Sequence, residues 1–199
     1  MTDIVDYYLS PGSPWTYLGH AAFVALARER RASVAVKPID LGRVFPVSGG
    51  LPLGKRAPQR QAYRLVELAR WAAHRGLPIH LQPRHFPAPA ELASCWILAA
   101  TEHGDDAALG LVGALGRALW AEERDIADPG TVRTIVEALG LPVDTLAERA
   151  AAPDTKMRYE TLSQEAIDRG VFGVPTYVVH GEMFWGQDRL DFLGRALAQ

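Results

Sequence analysis

Cysteine is almost missing from this chain of 199 residues, in which Cys95 stands alone. One thiol excludes an internal disulfide and any Cys-x-x-Cys redox or zinc centre. Cys95 lies in the apolar, helix-patterned stretch 91–98, where it reads as a small buried residue and not as a reactive thiol. There is no excess of charge: 21 basic against 23 acidic residues leave a net −2, and the basic residues form no long run, so no nucleic-acid partner is expected. No apolar run reaches the ~18 residues of a membrane helix, and no membrane partner is expected either. The first residues lack the charged-then-apolar order of a secretion signal, which points to a cytoplasmic protein. Six histidines are present without metal-ligand spacing, and no metal is expected. What is there, at 48% apolar residues, suits a globular chain with one substantial core.

Residues 4–9 form a short, nearly continuous apolar run, the signature of a strand buried on both faces. A helical pattern follows from Pro14 to Arg30, with Leu18, Ala22, Ala25 and Leu26 as its apolar face, and residues 33–39 form a second strand. Strand, helix and strand in forty residues make a βαβ unit with parallel strands. Gly and Pro crowd residues 41–58, predicting a long loop that carries the adjacent pair Lys55 and Arg56.

Helical patterns then dominate. One helix carries Tyr63, Val66, Leu68, Ala69 and Trp71 before Gly76, and another carries Leu92, Cys95, Trp96 and Ala99 before Gly104. Leu111, Leu115 and Leu119 recur at intervals of four, and Asp128-Pro129 opens a helix that Gly140 and Pro142 stop. The proline-punctuated residues 83–89 form an irregular crossing. Two β-rich runs, 176–179 and 183–185, then make an antiparallel hairpin, and a last helix spans 189–197. This is the outline of an α/β, thioredoxin-like fold carrying a helical insert: residues 1–45 and 161–199 form the thioredoxin-like part, and 46–160 the loop and insert.

Residues 9–19 carry the strongest functional signal, because a strand runs through a turn into a helix start. Ser13 fits the N-cap and Pro14 the first helical position. Such a terminus offers unpaired N–H groups and a positive dipole end to a phosphate, carboxylate or thiolate, although Ser13 also reads simply as a cap.

Three segments together, residues 13–19, the crossing with His85-Phe86, and residues 170–176 with 181–190, resemble the 2-hydroxychromene-2-carboxylate isomerases, relatives of kappa-class glutathione transferases and of bacterial disulfide oxidoreductases. The resemblance spans essentially the whole chain and implies a glutathione cofactor, a homodimer, and a small aromatic electrophile or carboxylate as substrate. It gives Ser13 the hydrogen bond to the glutathione sulfur, gives Val174 and a cis Pro175 the glutathione backbone, and gives Gln187 and Asp188 the γ-glutamyl end. Trp15, Tyr17, His85 and Trp185 are the candidate walls of a substrate pocket, with core packing as the other reading of the aromatics, loop fixation that of His85, and helix capping that of Asp188. The implied reaction is isomerisation by thiolate addition, bond rotation and elimination. A transferase with another electrophile and a non-catalytic glutathione-binding module are the alternatives.

Physical chemistry is compatible with Ser13 as a donor. Lowering a thiol pKa of about 8.5 by about two units takes about 2.7 kcal/mol. A hydroxyl donating to a charged sulfur provides ~1.5–3 kcal/mol and a helix dipole ~0.3–1. The chain departs from the family where a lysine and an asparagine are usual, having Pro46 after Phe45 and then Gly50-Leu51. Lys55, Arg56 and Arg60 are the cations in reach of the same segment to replace the lysine.

Overall fold

The computed structural model describes residues 2–198. Strand β1 (Ile4–Leu9) and strand β2 (Ser33–Pro38) pair in parallel, joined by helix α1 (Pro14–Arg30). Strand β3 (Thr176–Val179) adds antiparallel to β1, and strand β4 (Glu182–Trp185) antiparallel to β3, for a sheet ordered β2-β1-β3-β4. The β3–β4 turn consists of His180 and Gly181, both at positive φ (53° and 79°), the backbone that a two-residue hairpin needs to match strand twist.

Alternation along β1 divides the interior. Val5, Tyr7 and Leu9 face one core with Tyr177, Val179 and Phe184, whereas Tyr8 faces a second with Val178. On the first side Tyr7 stacks on Tyr177 (ring centroids 5.3 Å apart) and Phe23 of α1 tilts onto both at 4.5 Å. The same core continues through helix α4 (Glu91–Ala100), helix α5 (Asp105–Glu122) and helix α6 (Pro129–Ala138), taking in Trp96, Trp120 and Val136. Helix α4 is buried on all sides from Ala93 to Ala100, so its sequence shows no polar face. Helix α3 (Pro58–Arg75) packs against α1, helix α9 (Leu190–Ala196) against α1 and β3–β4, and helix α7 (Val143–Ala151) against α4. Helix α8 (Pro153–Asp168) and helix α2 (Leu41–Ser48) cover the Tyr8 face. Among the described residues no helix is long and apolar enough to cross a membrane.

Two local expectations change. Residues 41–58 are not one long loop, because the Asp40 carboxylate caps α2 by accepting from the Gly42 N–H at 2.7 Å, Val44 is fully buried, and Gly49 closes the helix at φ 76°. A 3-10 turn, Leu53–Lys55, follows. In α1, of the face expected from Leu18, Ala22, Ala25 and Leu26, Leu18 is fully buried, Ala22 and Leu26 are partly buried, and Ala25 is exposed. The helix is buried between sheet and α5 instead, along Thr16, His20, Phe23 and Ala27, with His20 bonded to the Leu109 carbonyl (2.9 Å) and the Tyr7 hydroxyl (3.3 Å). Burial holds His20 neutral, its pKa lowered to about 4. In α3, which carries the expected residues, Tyr63 and Val66 are exposed, and the buried stripe is Arg64, Leu68 and Ala72.

Candidate functional site

The turn from β1 into α1 is folded tightly. The Ser13 N–H donates to the Ser10 carbonyl at 3.0 Å, and the Ser13 side chain accepts from the Thr16 N–H at 3.3 Å, closing an N-cap with Pro14 at the first helical position. Ser13 is 8% exposed. A hydroxyl that accepts through its oxygen keeps its own hydrogen for another partner, and this one sits at the positive end of a 17-residue helix.

The sheet register brings the second part of the site here. Tyr8 pairs with Thr176, so Pro175 lies at the end of β1 from which the turn departs, and the Val174–Pro175 peptide bond is cis. Val174 takes no part in the sheet ladder, which begins at Thr176. The crossing 83–89 provides a third wall: the Ala88 carbonyl is 3.7 Å from where a Cβ on Gly12 would lie.

Beside α1 opens a cavity of about 390 Å³ lined by Trp15, Arg56, Arg60, Tyr63, Arg64 and Glu67, among others. Arg64 is 9% exposed and its guanidinium lies over the rings of Phe86 (5.1 Å) and Trp120 (5.6 Å), with Phe86 coming from the crossing. Burial, and the charge of Arg56 after it, lower the Arg64 pKa to about 10. Glu67 is held by Arg70 at 2.7 Å.

The remaining candidates divide. The Gln187 side chain points into the protein: a Cβ on Gly19 would come within 2.5 Å of the Gln187 Cβ, and Arg75 donates to the Gln187 carbonyl at 3.2 Å and to its side-chain oxygen at 3.4 Å. Asp188 is exposed and its carboxylate accepts from Arg189 at 2.6 Å. The Tyr177 hydroxyl and the Arg75 Nε, near this segment, are buried with no partner among the described residues. Burial pushes the Tyr177 phenol far above its ordinary pKa, so it stays protonated.

Trp15 lines the cavity; Tyr17 and Trp185 do not. Tyr17 is buried against Gly116 of α5 and donates to the Pro78 carbonyl at 2.7 Å. Trp185 packs on Phe172 (ring centroids 4.7 Å apart) and against Gly173, on the sheet face opposite Phe184 and the α1 core. His85 sits 3.7 Å from the Asp125 carboxylate in the crossing and is not among the cavity-lining residues. Cys95 is buried in α4, where burial raises its thiol pKa. Sequence reasoning missed Arg64 and Arg75 altogether. The one available signal was the four-residue spacing Arg56, Arg60, Arg64, which puts three cations on one side of the chain entering α3.

Comparison with known proteins agrees with this architecture. The DSBA-like thioredoxin domain model matches residues 4–198. A 2-hydroxychromene-2-carboxylate isomerase from Sphingobium xenophagum is 31% identical over 97% of both chains. One from Pseudomonas putida is 29% identical over 98% of this chain and 95% of its own. The solved structure of a 2-hydroxychromene-2-carboxylate isomerase superposes with a TM-score of 0.81 at 28% identity, covering 98% of this chain and 94% of the other. The chain thus belongs to the DSBA-like thioredoxin family and, within it, to the 2-hydroxychromene-2-carboxylate isomerases, and it is an isomerase.

Proposed function

We propose that this isomerase acts on a bicyclic aromatic carboxylate of the 2-hydroxychromene-2-carboxylate type and uses glutathione as its thiol cofactor. The names of its relatives support the substrate class. The observation that carries the cofactor is Ser13: its oxygen is occupied by the Thr16 N–H, so its proton is free to be given to an anion at the head of α1.

The residues present fit a bound tripeptide thiol. Two buried donors near Gln187 and Asp188, the Arg75 Nε and the Tyr177 hydroxyl, lack partners among the described residues. A buried donor left unpaired costs about 1–3 kcal/mol, which a polar ligand reaching the half-buried Arg75 would relieve, whereas Tyr177 lies wholly within the core. Ser13 would hold the sulfur, Val174 with Pro175 the peptide portion, and exposed Asp188 the amino end. Glutathione, when bound, supplies the thiolate nucleophile of the isomerisation.

The chain's own contribution is to keep that sulfur ionised and the substrate ring in place. The Ser13 hydroxyl donates while the α1 dipole adds its positive end, together about 2–4 kcal/mol and enough to move a thiol from mostly neutral to mostly ionised at neutral pH. Trp15 gives the ring a flat wall. The only cysteine is buried in α4, so the chain has no thiol of its own at this place.

Ser13→Ala is expected to fold, to lose about 1 kcal/mol of stability with its cap, and to lower kcat by about thirtyfold, or about 2 kcal/mol of barrier. Ultraviolet absorbance of the thiolate in the glutathione complex reads the cause. A Ser13→Ala complex with wild-type thiolate absorbance overturns the role given to Ser13.

A further inference from the structure

The cavity beside Trp15 has an unusual balance of charge. Arg56, Arg60 and Arg64 all line it, and Glu67, the only acidic residue in its wall among the described residues, is already paired with Arg70 at 2.7 Å. None of the three arginines forms an ion pair among the described residues. Arg56 spends its Nε on the Leu51 carbonyl at 2.8 Å. Arg64 is the decisive member, because it is 9% exposed, forms part of the cavity wall, and has a buried Nη2 with no partner among the described residues. Arginine is the residue best shaped to hold a carboxylate through two parallel hydrogen bonds, and burial strengthens such a pair.

The rest of the wall narrows the ligand. Trp15 and Tyr63 present aromatic surface, and Phe86 and Trp120 lie against the Arg64 guanidinium and fix its plane. A space of about 390 Å³ suits a small molecule of one or two rings. A flat aromatic body and one anionic group satisfy both kinds of wall.

We propose that Arg64, supported by Arg60 and Arg56, is the binding site for the carboxylate of an aromatic substrate, whose ring lies along Trp15. This rests on the substrate class proposed above. A free carboxylate could equally be brought by glutathione itself, and the test separates the two sources.

The protein is titrated without glutathione against chromone-2-carboxylate and against its carboxamide, following tryptophan fluorescence, and separately against glutathione by calorimetry. Wild type is expected to bind the carboxylate at least tenfold more tightly than the carboxamide. Arg64→Met removes the charge but keeps an apolar stem, and is expected to weaken carboxylate binding by about 10- to 100-fold, leaving carboxamide and glutathione affinities within about twofold. Arg60→Gln, at an exposed position, is expected to cost several-fold and provides the reading should the Arg64 variant fold poorly. Equal binding of carboxylate and carboxamide by wild type overturns the site, and so does a loss that falls on glutathione alone. Because no glutathione is present in the first titration, a wild type that fails to bind glutathione refutes the cofactor reading while the carboxylate preference is still measured.

Discussion

Two groups of cations, each with a buried or partly buried member, lie on opposite sides of the sheet, and they are treated differently. On the α8 side, Lys37 sits between Asp6 (2.9 Å) and Glu165 (2.8 Å), Arg169 bonds both of those acids (2.6 and 3.2 Å), and the Tyr8 hydroxyl donates to Glu165 at 2.7 Å. Two cations there meet two carboxylates. On the α3 side, Arg56, Arg60 and Arg64 share a wall with one carboxylate that is already taken. A matched group holds the fold together, whereas an unmatched one costs desolvation until something anionic arrives from outside. Counting partners, more than counting charges, separates structure from function here.

The largest effect expected from breaking this contrast is on the matched side. Lys37→Met leaves Asp6 and Glu165 with Arg169 as their one cation and is expected to destabilise by about 2 kcal/mol, less than the ~3–5 of a fully buried pair because these side chains are partly solvated. In thermal melts that is a fall of roughly 4–8 °C for a chain of this size. Substrate-analogue binding should not change.

Acid sharpens the same contrast with a smaller effect. Burial alone would raise the Glu165 pKa, but hydrogen bonds from Lys37 and Tyr8 hold it below its ordinary value of 4.5. A carboxyl lowered in the folded state binds fewer protons than in the unfolded state, so its contribution is complete above that value and lost as pH falls through the folded pKa. Melting temperature should drop as pH falls below the ordinary carboxyl value of 4.5, and drop less steeply in Lys37→Met. The smallest effect belongs to the unmatched side. Arg64→Met is expected to change stability by less than about 1 kcal/mol in chemical denaturation, since lost stacking on Trp120 and Phe86 is offset by a cation no longer desolvated. A destabilisation as large as that of Lys37→Met would erase the contrast.

How much of this could be read from residues depended on range. The βαβ start, the hairpin at His180-Gly181 and the cap at Ser13 are governed by neighbours a few positions apart, and their patterns are plain. Helix α2 was hidden because Gly42, Pro46 and Gly49 looked like breakers, while the Asp40 cap that starts it was overlooked. The candidate pocket aromatics were chosen by nearness in sequence, and elementary periodicity separates them. Trp15 and Tyr17 stand two positions apart on a helix, about 200° around it, and only one of them reaches the cavity. Trp185 follows Phe184 on a strand and therefore points to the other face. Arg64 was missed because an arginine on a helix ordinarily faces solvent. Only the long-range approach of Phe86 and Trp120 makes an arginine an interior residue there.

The continuity of the first core bears on how this protein can be dismantled. Val5, Tyr7 and Leu9 of the sheet share one uninterrupted apolar body with Trp96, Trp120 and Leu146 of the helices. Excising the middle of the chain to recover a minimal domain would strip α1 of the α5 surface it packs against and expose the shared core, so the helices are not a removable cassette. Recombination with relatives should succeed only when strand and helices are exchanged together.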